Sequence, residues 1–422
     1  MIINSYEQYE LLKERMNRES HIATPVFRDL YTHSFINPIL CVGITFYNGD
    51  FFIVSTGHSD AKIFDVPPST NYTQSTHPHI INGKDINTFR YLAGLTIPET
   101  QPTNVLTEFS QLTRYNQIVP ITVLSSQVRD LHRKFLQDIG LTVNVYAFDF
   151  ISQAVQTLRD IERNGLAIND KKFLQHFPDK KNLIHEGKVY TQYHPFTMTG
   201  RPSNRFRGIN FAALNKSDES RASFVSRFEN GKLLQLDFES YHLRLLANYV
   251  HYPLSKEPVH TYLAQQYFGK PDISQEEYDE GKKITFGILY GDEVETDIPF
   301  LQNIKQVAID KYHHYLANNE LFAPYSQRTI FVPKDSSMNK VFNYFVQSLE
   351  FEETIPKIEK LNKSLQNKAS KVVLYTYDAV LLDCPAEELT EIKTLAETIL
   401  GENGYPLRAS FGDNYHQLES WK

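Results

Sequence analysis

The stretch VVLYTYDAVLLD (372–383) places two apolar runs, rich in β-branched residues, on either side of a single tyrosine–aspartate pair. This pattern predicts two short strands that meet at a tight turn, with Asp378 at or beside the turn. The immediate neighbours of Asp378 are mostly apolar, and a lone carboxylate in such surroundings is costly to desolvate unless another group pairs with it. We therefore expect a partner for Asp378 elsewhere in the chain.

Asp237 is the partner that the sequence offers. The segment KLLQLDF (232–238) predicts an apolar strand that carries Asp237 near its end, and ESYHLRLLANYV (239–250) predicts a helix after it. Two carboxylates at neighbouring strand ends suit Mg²⁺, a hard cation that binds carboxylate and phosphate oxygens. We expect magnesium to bridge Asp237 and Asp378.

A helix predicted over EEYDEGKKITFGILYG (276–291) carries Lys282, Phe286 and Tyr290 at spacings of four, and therefore on one face. A lysine neutralises a triphosphate, and aromatic rings pack against a base or a sugar. Two carboxylates and such a helix are what phosphoryl transfer by two metal ions requires. Each feature also has a plainer explanation: a strand-end aspartate is more often a turn cap, and the helical stripe is more often core plus a solvated lysine.

The composition sets wider bounds. A chain of 422 residues has room for two or three domains, and its 41% hydrophobic content supports a sizeable core. The net charge of −7 argues against an indiscriminate polyanion binder, although a local basic cleft is compatible with it. Strands and helices alternate without a regular βαβ order, which favours the α+β class.

The sequence also carries few signs of covalent or metal cross-links. Two cysteines, Cys41 and Cys384, are too few for a disulfide framework and indicate a reducing compartment. His58 and the pair His313–His314 lack partners at ligand spacing and are predicted to be surface residues. No run of about 18 apolar residues predicts a membrane span, and we expect a soluble cytoplasmic protein without a membrane partner.

Short segments from residue 151 onward follow one another in a specific order. They are LRDIERNGLAIN (158–169), GKVYTQYHPFTMTGRPS (187–203), LLQLDFESYHLRLLA (233–247), VHTYLAQQYFG (259–269), GKKITFGILYG (281–291), NYFVQS (343–348), YTYDAVLL (375–382) and FGDNYHQLESW (411–421). In content and order these segments resemble the motifs of the family A DNA polymerases, the class of bacterial DNA polymerase I and related phage enzymes. One match alone is a weak signal, whereas six or more in order are specific.

The resemblance implies a right-hand polymerase with palm and fingers and a much reduced thumb, preceded by an RNase H-like α/β domain of the exonuclease type. The implied domains are an exonuclease-like domain (1–150), a linker helix with a vestigial thumb (151–196), the first part of the palm (197–250), the fingers (251–341) and the second part of the palm (342–422). Because the thumb grips the duplex through its phosphates, we expect short, distributive synthesis or dependence on a processivity or replisome protein.

The resemblance also implies roles for single residues. Asp237 and Asp378 would hold two Mg²⁺ ions together with the backbone carbonyl of Phe238. Lys282 would bind the triphosphate of the incoming deoxynucleotide and donate a proton to pyrophosphate, and His260 would contact the same triphosphate.

Other implied residues line the nucleotide and DNA sites. Phe286 and Tyr290 would form the pocket for the nascent base pair. The residues expected to contact the primer–template DNA are Arg201, Arg205, Asn343 and Gln347.

Four positions depart from the family pattern. His242 replaces the glutamate that packs under the nucleotide sugar, so discrimination against ribonucleotides is in question. Tyr377 and Ala379 replace the histidine and glutamate that flank the second catalytic aspartate. Tyr278 replaces an arginine one turn before Lys282, which predicts weaker triphosphate binding.

The first 150 residues retain few nuclease features. Asp29 falls where the first carboxylate of a 3′–5′ exonuclease is expected, but Tyr31 occupies the next ligand position, and Asp85 is the remaining possible ligand. Such a nuclease needs about four carboxylates around two metal ions. We expect a scaffold that lacks proofreading, and a weak or rearranged exonuclease is the alternative.

Three functions stay open at this point. The first is a template-directed DNA polymerase, the second is a non-catalytic replication or repair scaffold on a polymerase fold, and the third is a polymerase with a changed task. Magnesium-dependent primer extension separates the first and third from the second. Omitting the template, or supplying ribonucleotides, separates the first from the third.

Overall fold

The computed structural model describes residues 1–64, parts of 121–133 and 145–421, except residue 20, 28–38, 47, 192, 194–196, 204–207, 216, 218, 256 and 291–294. The chain divides into two compact units, Met1–Ser152 and Gln153–Lys422. Helices and antiparallel sheets occur together in an α+β arrangement, as predicted. The functions assigned to the domain ranges stay predictions.

The first unit contains helix α1 (Tyr6–Arg18) and a three-stranded antiparallel sheet of β1 (His21–Phe27), β2 (Ile39–Phe46) and β3 (Phe51–Ser55) in that order. The segment ILCVGITFYNGDFFIVSTG (39–57), two apolar runs around Asn-Gly-Asp, predicts a β-hairpin, and the strands β2 and β3 form it. Gly49 in the turn has a φ of +90°, a conformation that favours glycine.

The nuclease-related predictions cannot be followed in this unit, because Asp29, Tyr31 and Asp85 lie outside the described residues. The prediction of His58 as a surface residue is wrong. Its side chain is only 5% exposed, because the turn after β3 folds it inward, where Ser55 Oγ accepts a hydrogen bond from its backbone N–H at 3.1 Å.

The second unit is entered through short elements. Apolar residues at helical spacing over 150–170 predict a helix that stops at Gly165, and helix α2 (Val145–Asn164) ends before this glycine, whose φ is +60°. Strand β4 (Leu166–Ala167), helix α3 (Asp170–His176) and strand β5 (Lys188–Val189) follow. A 3₁₀ helix covers Pro178–Leu183.

A five-stranded antiparallel sheet forms the centre of the second unit, with the strand order β12–β11–β6–β10–β9. Its strands are β6 (Lys232–Phe238), β9 (Lys371–Thr376), β10 (Ala379–Cys384), β11 (Leu407–Gly412) and β12 (Glu419–Ser420). The predicted hairpin at 372–383 is confirmed as β9 and β10, and the predicted strand at 232–238 is confirmed as β6.

Helices surround this sheet. They are α4 (Tyr241–Tyr249), α5 (Val259–Phe268), α6 (Gln275–Tyr290), α7 (Pro299–Asn318), α8 (Met338–Ser364) and α9 (Leu389–Leu400). A small hairpin of β7 (Glu320–Phe322) and β8 (Thr329–Phe331) joins α7 to α8, and further 3₁₀ helices cover Phe211–Ala213, Ser220–Ser223 and Glu402–Gly404. Helix α5 packs on α6, and α8 packs on α4, α6, α7 and α9.

The short elements after α2 contribute to the core beneath the sheet. Leu166, Phe173 and Val189 are buried together with Leu233 of β6 and Val373 of β9. Burial of such side chains provides about 1.5–3 kcal/mol each. The segment predicted as a vestigial thumb therefore packs on the sheet in its described part, and its role in gripping DNA stays a prediction.

Both cysteines are buried and unpaired, and burial raises the pKa of Cys41 and of Cys384 to about 12. Among the residues that the structure describes, every helix is too short or too polar to cross a lipid bilayer.

Candidate active site

Two predicted catalytic carboxylates share one end of the central sheet. Strand β6 runs antiparallel to β10 with Asp237 opposite Ala379, and the N–H of Phe238 donates a hydrogen bond to the carbonyl of Asp378 at 2.9 Å. The register therefore sets the turn before β10 beside the end of β6, and the structure brings Asp237 and Asp378 together.

The electrostatic surroundings of Asp378 favour a cation. Burial raises the pKa of the Asp378 carboxyl, and the negative charges of Glu350 and Asp237 raise it further, whereas Arg201 opposes them. The carboxylate of Asp237 accepts a hydrogen bond from the side-chain amide of Gln235 at 2.5 Å. An ionised Asp378 is thus costly as the chain stands, and a positive ligand would relieve that cost.

The turn that carries Asp378 is held by a cation–π contact. Tyr377 has a φ of +64°, which is unfavourable for an aromatic residue. The guanidinium of Arg201 lies 3.6 Å from the centre of its ring, and Arg201 Nε lies 3.2 Å from Glu350 Oε2. The ion pair and the ring contact together connect the turn to helix α8.

Glu350 is a site residue that the sequence reasoning missed. Its side chain is fully buried, and its Oε2 lies 2.9 Å from His242 Nε2. Its Oε1 is buried and has no hydrogen-bond partner within the described part of the chain. A signal was present, because Glu350 follows Asn343 and Gln347 at helical spacings of seven and three and therefore shares their face of α8.

Three of the residues predicted to contact DNA, Arg201, Asn343 and Gln347, lie in one hydrogen-bonded neighbourhood. Gln347 Nε2 donates to Asn343 Oδ1 at 3.2 Å, and Thr199 Oγ1 donates to Gln347 Oε1 at 3.3 Å. Fully buried Arg328 donates to the carbonyl of Thr199 at 2.8 Å, which ties the segment before Arg201 to α8. The structure thus brings Arg201, Asn343 and Gln347 into one neighbourhood.

The backbone conformation and the close packing at position 200 require a glycine. Its φ is +82°, and a Cβ placed there would lie 2.7 Å from the ring of Phe351 and 3.0 Å from Arg328. Any larger residue would push the segment that carries Arg201 away from α8.

The opposite wall of the site consists of α5 and α6. His260 is 8% exposed, its ring centre lies 5.4 Å from that of Phe286, and Lys282 Nζ lies 5.8 Å from the centre of the Phe286 ring. Burial, with smaller contributions from Lys282 and Arg408, lowers the pKa of His260 to about 4. His260 is therefore neutral at pH 7.

Arg244 fixes the position of this wall. It lies on α4 two residues after His242, is 5% exposed, and donates to the carbonyls of Ser255 at 2.9 Å and Glu257 at 2.8 Å. Those two carbonyls belong to the loop that leads into α5, so Arg244 positions the helix that carries His260.

These elements enclose a pocket of about 180 Å³. Site residues that line it are Arg201, His242, His260, Phe286, Glu350 and Asp378. Neither Asp237 nor Lys282 is among its lining residues, although both lie close to it in the fold. The pocket is large enough for part of a nucleotide and has a charged and an aromatic side.

Two predicted residues cannot be assessed. Arg205 lies outside the described residues, and Tyr290 ends α6 with a side chain that is likewise outside them. Within the described residues no group of three or more His, Cys, Asp or Glu side chains is arranged to hold a metal ion. Asp237 and Asp378 suit Mg²⁺ only as a pair, with further oxygens supplied by backbone, water or phosphate.

No protein-family model matches the chain, and no curated protein matches it in sequence. Among solved structures, the chain is similar to the polymerase domain of Pol1 from M. smegmatis in complex with DNA primer-template and dNTP. The two share 13% identity at a TM-score of 0.72, over 98% of this chain and 99% of that chain. This similarity shows the fold of a polymerase domain, and any activity has to be argued from the site.

Proposed function

We propose that this protein is a template-directed DNA polymerase of the family A type, which adds deoxynucleotides to a primer 3′ end. The observation that carries the proposal is the hydrogen bond from Phe238 N–H to the carbonyl of Asp378, because it fixes two carboxylates at one end of the central sheet of a polymerase-domain fold. Across the pocket lie the aromatic and cationic side chains of α5 and α6.

Asp237 and Asp378 would hold magnesium in this proposal, with the backbone carbonyl of Phe238 as a further ligand. Bound Mg²⁺ lowers the pKa of an attacking hydroxyl and stabilises charge on a leaving phosphate. The raised pKa of Asp378 is consistent with a side chain that needs a cation to stay ionised. The pair alone supplies few ligands, so the nucleotide phosphates complete the site.

The helical wall would bind the nucleotide. Lys282 would attract the triphosphate and donate a proton to the outgoing pyrophosphate. His260 is neutral at pH 7 and so meets the phosphates as a hydrogen-bond donor. The ring of Phe286, 39% exposed, offers a stacking surface for the base, and Tyr290 follows one helical turn later.

Arg201, Asn343, Gln347 and Arg205 would contact primer–template DNA. Amide and guanidinium groups of this kind hold nucleic acid by hydrogen bonds that do not depend on a basic overall charge. We expect short, distributive synthesis without proofreading, a processivity protein as a partner, and a cytoplasmic location in a bacterium or a phage-infected cell.

Extension of a labelled primer on a DNA template, with Mg²⁺ and the four deoxynucleotides, tests the proposal. We expect extension by the wild-type chain and none by Asp378→Ala. A lane without nucleotides reports any nuclease activity. Lanes without template, or with ribonucleotides in place of deoxynucleotides, report template-independent addition or the use of ribonucleotides. Absence of extension at high enzyme and nucleotide concentrations would instead support a non-catalytic scaffold.

A further inference from the structure

The pocket contains an unusual acceptor. Glu350 Oε2 faces Arg201 and His242, whereas Glu350 Oε1 is buried without a hydrogen-bond partner in the described structure. A buried polar atom without a partner is destabilising. Glu350 lines the pocket, so a modest turn of its side chain would present this unsatisfied oxygen to a ligand there.

The surroundings indicate which ligand group suits this oxygen. A phosphate in direct contact with Glu350 Oε1 is disfavoured, because both groups are negatively charged and Lys282 lies on the other side of the pocket. A hydrated metal ion is also disfavoured here, since the carboxylate already forms an ion pair with Arg201 and a hydrogen bond with His242, and the adjoining lining includes Leu243 and Leu289. An oxygen acceptor beside apolar walls fits a hydroxyl on a carbon ring.

We infer that Glu350 is a specificity-determining residue that accepts a hydrogen bond from a sugar hydroxyl of the incoming nucleotide, and that His242 and Arg201 hold its carboxylate in place. The inference rests on the proposed function. It assigns the sugar to the α8 side of the pocket and the phosphates to the α6 side. Glu350 on α8 thus supplies the carboxylate that meets the sugar, and His242 on α4 orients it.

This geometry favours nucleotides that carry the hydroxyl. A hydrogen bond from a hydroxyl to a charged acceptor contributes enough binding energy for a roughly ten- to hundredfold preference over an analogue that lacks it. A site with an unsatisfied acceptor rejects such analogues more strongly than an apolar site does.

Equilibrium binding to the full chain tests the inference without turnover. The complex contains template DNA and a primer that ends in a dideoxynucleotide, and the probes are deoxy-, dideoxy- and ribonucleoside triphosphates with Mg²⁺. For the wild type we expect the dideoxynucleotide to bind at least about tenfold more weakly than the deoxynucleotide. In Glu350→Gln, the difference should fall to within about threefold, because an uncharged amide forms a weaker hydrogen bond with the hydroxyl than a carboxylate does.

Two further variants control the measurement. Glu353→Gln, on the same helix but paired with Lys357 outside the pocket, should keep the wild-type preference. Glu350→Asp keeps the charge but withdraws it by one methylene, so it should also lose most of the preference for the deoxynucleotide over the dideoxynucleotide. It replaces Glu350→Gln in the test if that variant does not fold.

Several outcomes would overturn the inference. Equal dideoxy and deoxy affinity in the wild type, or an unchanged preference in Glu350→Gln, would exclude Glu350 as the hydroxyl acceptor even if primers are extended. Loss of Mn²⁺ binding by Glu350→Gln without nucleotide, measured by electron paramagnetic resonance, would make Glu350 a metal ligand instead. Failure of all nucleotides to bind, together with no extension, would remove the proposed function itself.

Discussion

Asp378 and Asp383 lie near opposite ends of the same strand, β10, and their surroundings differ sharply. Asp383 is fully buried and accepts hydrogen bonds from Ser226 Oγ at 2.5 Å, Arg227 N–H at 3.1 Å and Arg227 Nε at 2.7 Å. The chain thus supplies this carboxylate with a cation and two further donors.

Among the described residues, Asp378 has no comparable set of donors, and its own backbone N–H and the charge of Arg201 are the groups that lower its pKa. Burial raises the pKa of its carboxyl, and the nearby carboxylates Glu350 and Asp237 raise it further. At one end of β10, Asp383 therefore stabilises the fold. At the other end, the fold opposes the charge of Asp378. Side chains of the second kind cluster at functional sites, and this contrast is the physical basis for placing the proposed metal site at Asp378.

The largest effect on stability is expected at Asp383. Asp383→Asn should lower the free energy of unfolding by about 2–4 kcal/mol, because the fully buried carboxylate is lost and the partly buried Arg227 is left without its counter-charge. Denaturation followed by the fluorescence of the single tryptophan, Trp421, measures this change in the unit that contains both aspartates. A loss below about 1 kcal/mol would show that Asp383 is not a structural ion pair.

The buried His260 predicts a dependence of stability on pH. Its folded pKa of about 4 lies below the usual 6.5, so the unfolded chain binds the proton more tightly. Stability should therefore fall as the pH falls from about 6.5 toward 4, by up to roughly 3 kcal/mol. Denaturation of the wild type and of His260→Gln across this range isolates the contribution, and parallel pH profiles of the two would contradict it.

Asp378→Asn is expected to behave in the opposite way to Asp383→Asn. Removing a charge that Glu350 and Asp237 repel should leave the melting temperature unchanged or higher, measured without metal. A folded carboxylate with a raised pKa opposes folding above that pKa, so the gain should disappear in acid. A clear loss of stability at neutral pH would indicate a structural partner for Asp378.

The smallest effect is expected on the surface of the same sheet. Asp413 forms an ion pair with Lys232 but is 77% exposed. Asp413→Asn should change the free energy of unfolding by less than about 1 kcal/mol, because water and salt screen exposed pairs. The same denaturation assay measures this change. A large loss of stability would mean that the exposure of the side chain does not explain why Asp378, Asp383 and Asp413 differ.

Local pattern predicted much of this fold. The hairpin of β9 and β10, the strand β6, the helix α6 and the hairpin of β2 and β3 were all readable from apolar alternation, helical spacing and turn residues. The meeting of Asp237 and Asp378 was predicted as well, because both follow from strand ends within one sheet.

What the sequence did not predict depends on contacts between distant segments. Glu350 joins the site only because α8 packs beside α4 and the segment of Arg201. The pairing of Arg227 with Asp383 joins residues 156 positions apart, and no local pattern encodes it. The burial that makes His260 neutral likewise arises from the packing of α5 on α6 and from the loop that Arg244 holds.

The measurement that tests the central claim most directly is single-nucleotide addition to a labelled primer on a DNA template, with Mg²⁺, by the wild type, Asp378→Asn and Asp383→Asn at a temperature where all three are folded. The account predicts addition by the wild type and by Asp383→Asn, and a rate at least about a hundredfold lower for Asp378→Asn, which loses a charge at the reacting phosphates. Equal rates for the wild type and Asp378→Asn, or no addition by any of them, would contradict it.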